Sequence, residues 1–292
     1  DGPQGLLPSA DWLHLYTEAA RLAFADRAQY VADPDFVPAP GGRWLNLLDP
    51  AYLAARAALI GPRRAPQVEP GRPAGAALAH APMPPQPEAG TSHISIVDAR
   101  GHMLAMTTTI ESAFGARLMV STDPSRPGGF LLNNQLTDFS FAPADAEGRP
   151  IANRVQPGKR PRSSMAPTLV FDLKTDGTAG DFKMATGSPG GSTIIQYVTK
   201  TLVGALDWGL DAQQATSMVD FGAANSPTTN VGGEHPNINT ANGGNDDPLV
   251  SGLRALGHVC GDAAQLATGA FQLLGVVLEP ADRLGEKVTQ GI

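Results

Sequence analysis

Cysteine is almost absent from this sequence of 292 residues, and Cys260 alone cannot form a disulfide within the chain. Basic residues are also scarce: 21 Lys and Arg stand against 28 Asp and Glu, a formal net charge of −7. This balance argues against nucleic acid or an anionic membrane as a partner. No apolar run approaches the roughly 20 residues of a transmembrane helix. The six histidines lack the spacing of metal ligands, so we expect no zinc site and no other cofactor.

Glycine and proline are present in excess. The 33 Gly and 26 Pro residues form a fifth of the chain, against roughly 12% in an average protein. This composition favours a loop-rich α+β enzyme over a helical bundle. The length allows one or two domains and a sizeable core.

Local patterns predict the main elements. A helix is expected over Trp12–Gln29, capped at Asp11, and another over Ala51–Leu59, with Asp49 as its N-cap. Seven prolines make Arg64–Gly90 a structureless linker by prediction. The other predicted elements are strands at Thr168–Phe171, Phe182–Ala185 and Phe271–Leu278, and helices after Ser192, after Asp211 and at Leu249–Leu256.

The sequence changes abruptly at Thr91, where the linker meets Thr-Ser-His-Ile-Ser-Ile-Val-Asp, a pattern that predicts a buried strand. Cleavage between Gly90 and Thr91 would give Thr91 a free α-amino group beside its own hydroxyl. One residue would then carry both a base and a nucleophile, a recognised way to activate a threonine oxygen. The alternative is that a β-branched residue simply begins a strand. The motifs that follow favour the nucleophile.

A hairpin is predicted directly after Thr91. Asp98–Gly101 is typical of a turn, and a second strand runs from His102 to Thr109. If Asp98 pairs with His102, Thr91 lies opposite Thr109. Directly opposed side chains sit about 5 Å apart at Cβ, so the Thr109 hydroxyl can hold the amine or hydroxyl of Thr91. Taken alone, Thr107–Thr109 are better explained by ordinary strand propensity.

Two polar motifs follow downstream. The apolar run Phe130–Phe139 ends in amides and a carboxylate that include Gln135 and Asp138. Such a cluster suits an ammonium or amide ligand, and it also suits the polar end of a strand. Ser163 and Ser164 stand between prolines, where hydroxyls either grip a carboxylate or end a turn.

A glycine-rich turn, Thr186–Ser192, joins a predicted strand to a predicted helix. Backbone N–H groups at such a turn sit at the positive end of the helix dipole and can cradle a phosphate or an oxyanion. No lysine follows, so the turn is not a P-loop. A nucleophilic threonine makes the oxyanion preferable.

Together these motifs resemble the γ-glutamyltransferase (γ-glutamyl transpeptidase) family of N-terminal-nucleophile hydrolases. The strings that carry the resemblance, in family order, are Thr91–His93, Thr107–Glu111, Leu132–Phe139, Arg160–Pro167 and Gly187–Gly191. Upstream, Ala25–Arg27 and Asp33–Phe36 look like the end of that family's large subunit. The resemblance implies an α+β fold, an αββα sandwich with two antiparallel sheets stacked between helix layers and its upstream part absent from this sequence. Residues 1–90 would end the large subunit, and residues 91–292 would form the small one.

The resemblance also implies catalytic roles. Thr91 would be the nucleophile that autocatalytic cleavage after Gly90 exposes, and Thr109 would orient it. The N–H groups of Gly190 and Gly191 would form the oxyanion hole.

Substrate-binding roles follow in the same way. Glu111, Gln135 and Asp138 would surround the α-amino group of the donor, although many family members carry Asn at the position of Glu111. Ser163 and Ser164 would hold the α-carboxylate. The family's carboxylate-pairing arginine lies upstream of any matching segment, so we expect the serines to act without it.

The activity implied is transfer or hydrolysis of γ-glutamyl amides such as glutathione, with water, an amine or a peptide as acceptor. The implied assembly is a heterodimer of large and small subunits, in the periplasm or secreted, and no signal peptide is visible in the sequence. Two alternatives stay open. One is an acylase of the same family that acts on glutaryl or cephalosporin-type amides. The other is an inactive precursor or fragment with a binding or structural role.

Overall fold

The computed structural model describes residues 8–88, 90–121, 123, 125–126, 128–232, 247–262 and 275–278. Of the predicted strand Phe271–Leu278, the part before Gly275 lies outside these residues. The α-helices among them are α1 (Ala10–Tyr30), α2 (Pro50–Ala57), α3 (Ile194–Leu206), α4 (Ala212–Ser217) and α5 (Pro248–Ala255).

Helix capping follows side-chain chemistry. The prediction for α2 is confirmed, because Asp49 accepts the N–H of Tyr52. The predicted cap of α1 is wrong: Ser9 accepts the N–H of Trp12. Asp11 instead lies in the first turn, where a carboxylate favours the positive end of the helix dipole.

The strands are short. They are β1 (Ser92–Val97), β2 (Met103–Thr108), β3 (Met119–Val120), β4 (Phe130–Leu131), β5 (Thr168–Leu173), β6 (Ala179–Gly187), β7 (Asp220–Gly222), β8 (Thr229–Gly232), β9 (Cys260–Asp262) and β10 (Gly275–Leu278). Strands β10, β6 and β5 form an antiparallel sheet in that order, and the β1–β2 hairpin packs against it. Helix α3 packs on β6 and β7, and α4 packs on β10. The architecture is therefore α+β, as predicted, although the additional sheet β7–β8–β9 pairs β8 and β9 in parallel.

The β1–β2 hairpin has the predicted register. Ser92 pairs with Thr108 and Val97 with Met103, so the continuation of the ladder sets Thr91 across from Thr109. Gly101 has a φ of 81° and donates its N–H to Asp98 at 3.0 Å. This is the positive-φ position that a three-residue hairpin loop requires.

β1 was predicted to be a buried strand, but only one of its two faces is buried. His93 is buried, its ring lies against the Cα of Gly187 in β6, and it bonds the Thr107 hydroxyl at 2.7 Å. Ile94 and Ile96, which point the opposite way, are exposed. Alternation along a strand gives a hairpin two faces, and one of them packs on β6. Within the described residues, no element covers the other face.

No helix or strand is described between α2 and β1, as predicted for the linker Arg64–Gly90, but the linker packs against the rest of the chain. Ala81 and Met83 are buried, and the N–H of Met83 donates to a carbonyl of α1 at 2.9 Å. The side chain of Gln86 donates to the carbonyl of Phe139 at 3.0 Å. Proline removes a donor and prevents regular pairing, but it does not prevent side-chain burial.

The largest described core joins α1 and α5 to the sheet β7–β8. Its buried members are Leu13, Val219, Phe221, Val231, Leu249, Val250 and Leu253. Helix α1 precedes Thr91 and the other elements follow it, so this core would hold the two parts together after a cut at Gly90.

Candidate active site

A small cleft gathers most of the residues that the sequence singled out. Its lining consists of Glu88, Thr91, Thr109, Glu111, Gln135, Asp138, Ser163, Ser164, Met165, Gly191 and Ile194. Gly190 does not line the cleft: a Cβ built on it would meet Thr193 and Tyr197 instead. The structure thus brings together eight of the nine predicted catalytic and substrate-binding positions and adds Glu88.

The peptide bond before Thr91 lies at the cleft, whose lining includes Thr91 and Thr109. The hydroxyls of Thr91 and Thr109 both donate to the carbonyl oxygen of Gly90 in the continuous chain. The Thr109 hydroxyl also accepts the N–H of Glu111 at 2.8 Å. In the uncut chain, Thr109 therefore contacts the carbonyl that would be attacked, whereas the prediction placed it on the amine or hydroxyl of Thr91.

Gly90 fits its place for two reasons. Its φ is 72°, and a Cβ built on it would lie 1.8 Å from the carbonyl oxygen of Glu111. A side chain would be strained and would also collide with backbone. Glu111 itself has a φ of 72°, which is uncommon for a residue other than glycine. Positive φ angles at both Gly90 and Glu111 give the Gly90–Thr91 bond unusual backbone surroundings, of the kind found at functional sites.

Two carboxyl groups form the acidic end of the cleft. Asp138 ends the 3₁₀ turn Gln135–Asp138, is buried, and shares a hydrogen bond with the buried side chain of Glu111. Burial, followed by the nearby charges of Glu111 and Glu88, raises the pKa of Asp138 to about 7. Two buried carboxylates side by side repel each other, so one proton or one bound cation stabilises the pair.

Two guanidinium groups lie beside the cleft and form its basic end. Arg27, in the last turn of α1, donates to the Ser164 hydroxyl at 2.6 Å. Ser164 in turn donates to a carboxylate oxygen of Glu88 at 2.7 Å, and Arg162 lies 3.9 Å from the other oxygen. The Ser163 hydroxyl accepts the N–H of Met165 at 3.1 Å. Of the two predicted serines, Ser164 is therefore the one that holds a carboxylate in this structure.

Buried and paired side chains position this end of the cleft. Asn153 is 1% exposed, accepts the N–H of Arg162 at 2.9 Å and donates to the carbonyl of Asp138 at 2.7 Å. It therefore links the acidic and basic ends. Arg160 forms a two-pronged ion pair with Asp33, which lowers the pKa of Asp33 and ties the serine segment to the end of α1.

The glycine-rich turn lies beside the linker. Gly191 begins a 3₁₀ turn that leads into α3, and its φ is 56°. A Cβ built on Gly191 would lie 2.4 Å from the carbonyl oxygen of Glu88. The linker backbone thus passes directly over the position predicted for the oxyanion hole.

Comparisons with known proteins identify the family of this chain. Residues 4–280 match the sequence model of the family described as Gamma-glutamyltranspeptidase. The chain belongs to the γ-glutamyltranspeptidase family. Among curated relatives, the Glutathione hydrolase proenzyme of Escherichia coli (strain K12) is 37% identical over 221 residues, 73% of this chain and 34% of the relative. The Acylase ACY 1 proenzyme of Pseudomonas sp. (strain SE83) is 33% identical over 208 residues, 71% of this chain and 32% of the relative. The chain spans about a third of the length of these relatives.

Solved structures of this family are similar as well. The γ-glutamyltranspeptidase from Pseudomonas nitroreducens gives a TM-score of 0.51 at 26% identity and covers 68% of this chain and 98% of that one. The cephalosporin acylase from Bacillus halodurans gives 0.65 at 21% identity and covers 93% of this chain and 41% of that one, a likeness of fold alone.

Three charged residues in or beside the cleft were missed by the sequence reasoning, and two of them, both arginines, lie inside family strings. Arg27 ends Ala25–Arg27, Arg162 precedes the two serines, and Glu88 lies three positions before Thr91. A search for charges inside the matching strings would have found both arginines. Glu88 carries no sequence signal, because only folding of the linker brings it into the cleft.

The described part of the chain contains no helix that is long and apolar enough to cross a membrane. In the same residues, no group of three or more His, Cys, Asp or Glu side chains is arranged to hold a metal ion.

Proposed function

We propose that this family member cuts itself between Gly90 and Thr91, and that Thr91 then serves as an N-terminal nucleophile. The uncut geometry supports this, because the Thr91 hydroxyl contacts the Gly90 carbonyl and Thr109 donates to the same oxygen. The fragments 1–90 and 91–292 would remain together as a heterodimer through the core between α1 and α5. On the family resemblance alone, we propose a periplasmic or secreted location.

The cleavage begins when the Thr91 oxygen attacks the Gly90 carbonyl carbon. The bond from that carbon to the Thr91 nitrogen breaks, the nitrogen takes a proton, and an ester joins Gly90 to the Thr91 oxygen. Water hydrolyses the ester, which frees the Gly90 carboxylate, the Thr91 hydroxyl and the α-amino group. The new amine is the base that the hydroxyl lacked before cleavage.

Turnover repeats the same chemistry on a donor amide. The Thr91 amine takes the hydroxyl proton while the oxygen attacks the carbonyl carbon, and the leaving amine receives that proton. An acyl ester on Thr91 remains, and water or an acceptor amine releases it. The N–H of Gly191, which lines the cleft, is the proposed donor to the oxyanion, and the N–H of the preceding Gly190 is its predicted partner outside that lining. Such a donor typically contributes about 3 to 4 kcal/mol.

The acyl group that fits the cleft best is γ-glutamyl. The observation that carries this conclusion is the buried pair of Glu111 and Asp138, which requires a proton or a cation between its oxygens. The α-ammonium of a γ-glutamyl donor supplies that cation, with Gln135 beside it in the lining. Glutathione and related amides are the proposed substrates.

The second candidate is an acylase activity on glutaryl or cephalosporin-type amides, favoured by the 33% identity to the Acylase ACY 1 proenzyme. A glutaryl donor has no ammonium, so the acid pair would stay without a partner. The test compares kcat/KM for γ-glutamyl-p-nitroanilide and glutaryl-p-nitroanilide on one preparation. We expect a strong γ-glutamyl preference, and equal values or a glutaryl preference would favour the acylase.

Intact-mass analysis tests the cleavage. Purified protein should give two fragments, the second beginning at Thr91, while Thr91→Ala should give one. Thr91→Ser keeps the hydroxyl and serves as the matched control. An active chain that stays in one piece would contradict the mechanism, and an inactive uncut protein would favour the role of a precursor or binding protein.

A further inference from the structure

A chain of hydrogen bonds runs through a buried part of the fold that the proposed mechanism does not use. His14 of α1 and His258, between α5 and β9, are both 4% exposed, and Nδ1 of His14 lies 2.8 Å from Nε2 of His258. The other ring nitrogen of His14 lies 2.8 Å from the carbonyl oxygen of Gly61, and that of His258 lies 2.9 Å from the Thr229 hydroxyl. The same hydroxyl lies 3.0 Å from Nη2 of Arg21. Five groups are thus joined end to end.

The two ends of this chain of bonds fix the position of every hydrogen in it. A carbonyl oxygen only accepts, so Nε2 of His14 carries a hydrogen, and Nδ1 of the neutral ring is bare. Nε2 of His258 must then donate to that Nδ1, which leaves Nδ1 of a neutral His258 as an acceptor. The Thr229 hydroxyl donates to it and accepts from Arg21, whose guanidinium only donates. With both rings neutral, every group has a partner of the right kind.

An added proton disturbs this pattern. A proton on either ring leaves a hydrogen on Nδ1 of His258, so the Thr229 oxygen then faces donors from two sides. A second proton sets an N–H of His14 against an N–H of His258, and the bond between the rings is lost. Because both rings are buried, the added charge is itself costly. Burial, followed by His14 and two nearby guanidinium groups, lowers the pKa of His258 to about 4.

Cationic groups predominate around the two rings. Arg21 and Arg64 both oppose protonation of His258. Glu18 offsets Arg21 across an ion pair of 3.3 Å. Further charged or titratable side chains on the neighbouring segments are Asp11, Arg63, Arg254, Cys260 and Asp262. A proton on the rings therefore adds positive charge where positive charge already exceeds negative charge.

The hydrogen bonds of this network cross the proposed cleavage point. His14 and Arg21 lie before Gly90 in the sequence, whereas His258 and Thr229 lie after it. The guanidinium of Arg21 also donates to two backbone carbonyls just before Thr229. These bonds join the same parts of the chain as the apolar core between α1 and α5. Unlike that core, they depend on the protonation of two imidazole rings.

We propose that the pair of His14 and His258 is an acid-sensitive latch between fragments 1–90 and 91–292, which holds them together at neutral pH and weakens when the rings are protonated. The role between fragments rests on the proposed cleavage, whereas the effect of acid on the fold does not. Folding and association favour the neutral His258. The stabilising contribution is therefore complete above about pH 6.5, and it is lost as the pH falls through about 4.

The first experiment measures the affinity between the two fragments of cleaved protein. Their dissociation constant is determined by analytical ultracentrifugation at about pH 7.5 and about pH 4.5, for the parent and for His258→Gln. Glutamine places an amide N–H where Nε2 of His258 donates, and the amide can turn to accept from a protonated His14. Acid should therefore weaken association of the parent at least about tenfold more than association of His258→Gln.

A surface histidine provides the matched control. The side chain of His102 is 76% exposed and pairs with Asp98 at the hairpin turn. His102→Gln should therefore show the same acid sensitivity as the parent. Equal acid sensitivity of the parent and His258→Gln would overturn the latch.

The second experiment needs no cleavage. Urea unfolding of the uncut Thr91→Ala chain at the same two pH values should show a larger acid-induced loss of stability than unfolding of the chain that also carries His258→Gln. Arg64→Gln is a second variant that keeps both rings. It removes a positive charge that opposes their protonation, so it should also reduce the loss, even if His258→Gln does not fold. An undiminished loss in both variants would contradict the role of the pair.

The rings themselves are observed by ¹⁵N NMR of the histidines in the Thr91→Ala chain. At neutral pH, His14 and His258 should both carry their hydrogen on Nε2. In the folded chain, His258 should resist protonation down to about pH 5, because burial lowers its pKa. A hydrogen on Nδ1 of either neutral ring, or titration of His258 near pH 6.5, would refute the network.

These experiments also separate the possible failures. If purified protein is never cut, the proposed function is wrong, yet urea unfolding and NMR still decide whether the histidine pair responds to acid. If the protein is cut and active while its fragments dissociate in acid as readily with His258→Gln as without it, only the latch fails.

Discussion

The two ends of the cleft carry opposite charge and reach the centre from different parts of the chain. The acidic end, Glu111 and Asp138, follows Thr91 in sequence, and its carboxyl groups share a hydrogen bond. The basic end combines Arg27 of α1 with Arg162, and Glu88 of the linker lies between them and the cleft. A proton therefore relieves the repulsion between the two carboxyl groups of the acidic end. At the basic end, a carboxylate of the same chain offsets the positive charges of the arginines. Under the proposed function, an α-amino acid group, whose ammonium and carboxylate are bonded to the same carbon, would place one charge at each end.

The largest expected effect is a loss of donor specificity when Asp138 of the acidic end is changed. Asp138→Asn keeps the shape but removes a negative charge that would face the donor ammonium. The preference for γ-glutamyl over glutaryl donors should fall by a large factor, up to about 10⁴-fold, since sites built for such pairing strongly reject a ligand that lacks the group. The measurement is the ratio of kcat/KM for the two p-nitroanilides. Asp172→Asn, at the surface beside Lys183, is the control, and an unchanged ratio for Asp138→Asn would remove the acidic end from donor recognition.

A smaller effect, on the rate of self-cleavage, is expected from a change at Thr109. Thr109→Val removes the hydroxyl that donates to Gly90 and accepts from Glu111. Loss of these bonds at a half-buried site should slow self-cleavage by about 1 to 3 kcal/mol of activation free energy. Time courses of cleavage followed by intact mass measure this.

The neighbouring threonine sharpens that test. Thr108, the last residue of β2, is exposed and directly precedes Thr109, so Thr108→Val should cleave at the parent rate. Cleavage of Thr109→Val at the parent rate would mean that the contact with the Gly90 carbonyl has no role in the reaction.

The smallest expected effect is on the free energy of unfolding of the uncut chain. Its pH dependence should include a contribution from Asp138 at the acidic end. The pKa of Asp138 is raised from an ordinary value near 3.8 to about 7. Folding therefore favours the protonated group, and this stabilising contribution is present below about pH 4 and is lost as the pH rises through 7. Asp138→Asn imitates the protonated form and should flatten the dependence.

Urea unfolding of the Thr91→Ala chain between pH 4 and 8, with and without Asp138→Asn, gives this difference. Burial lowers the pKa of His93 and of His258, so both histidines act in the opposite direction in both proteins and cancel in the comparison. Parallel curves for the two proteins would show that the Asp138 carboxyl does not hold a proton in the uncut chain.

Local sequence was sufficient for features that depend on neighbours along the chain. The register of β1 and β2 follows from alternation and from the loop that Gly101 closes, so the opposition of Thr91 and Thr109 was predictable. The N-cap of α2 follows from Asp49 and the proline after it. The capping error at α1 arose because Ser9 and Asp11 are both good caps, and sequence alone does not choose between positions two residues apart.

Long-range packing decided the features that sequence patterns missed. Ile94 and Ile96 have the composition of a buried strand, yet one face of the hairpin stays exposed among the described elements. The linker has the composition of a loop, yet Ala81 and Met83 are buried because neighbouring segments close over them. Burial depends on what lies opposite a surface, and that information is not local.

The sequence by itself determined the family, the nucleophile candidate and the hairpin that sets Thr109 across from it, because each depends on residue types at short, fixed spacings. Only the tertiary structure decided which charged side chains meet at the cleft. Arg27 and Arg162 are 135 positions apart, and Glu88 reaches them because the linker folds back onto the glycine turn. Electrostatic pairing acts through space over a few ångströms and is indifferent to separation along the chain, so no local pattern records it.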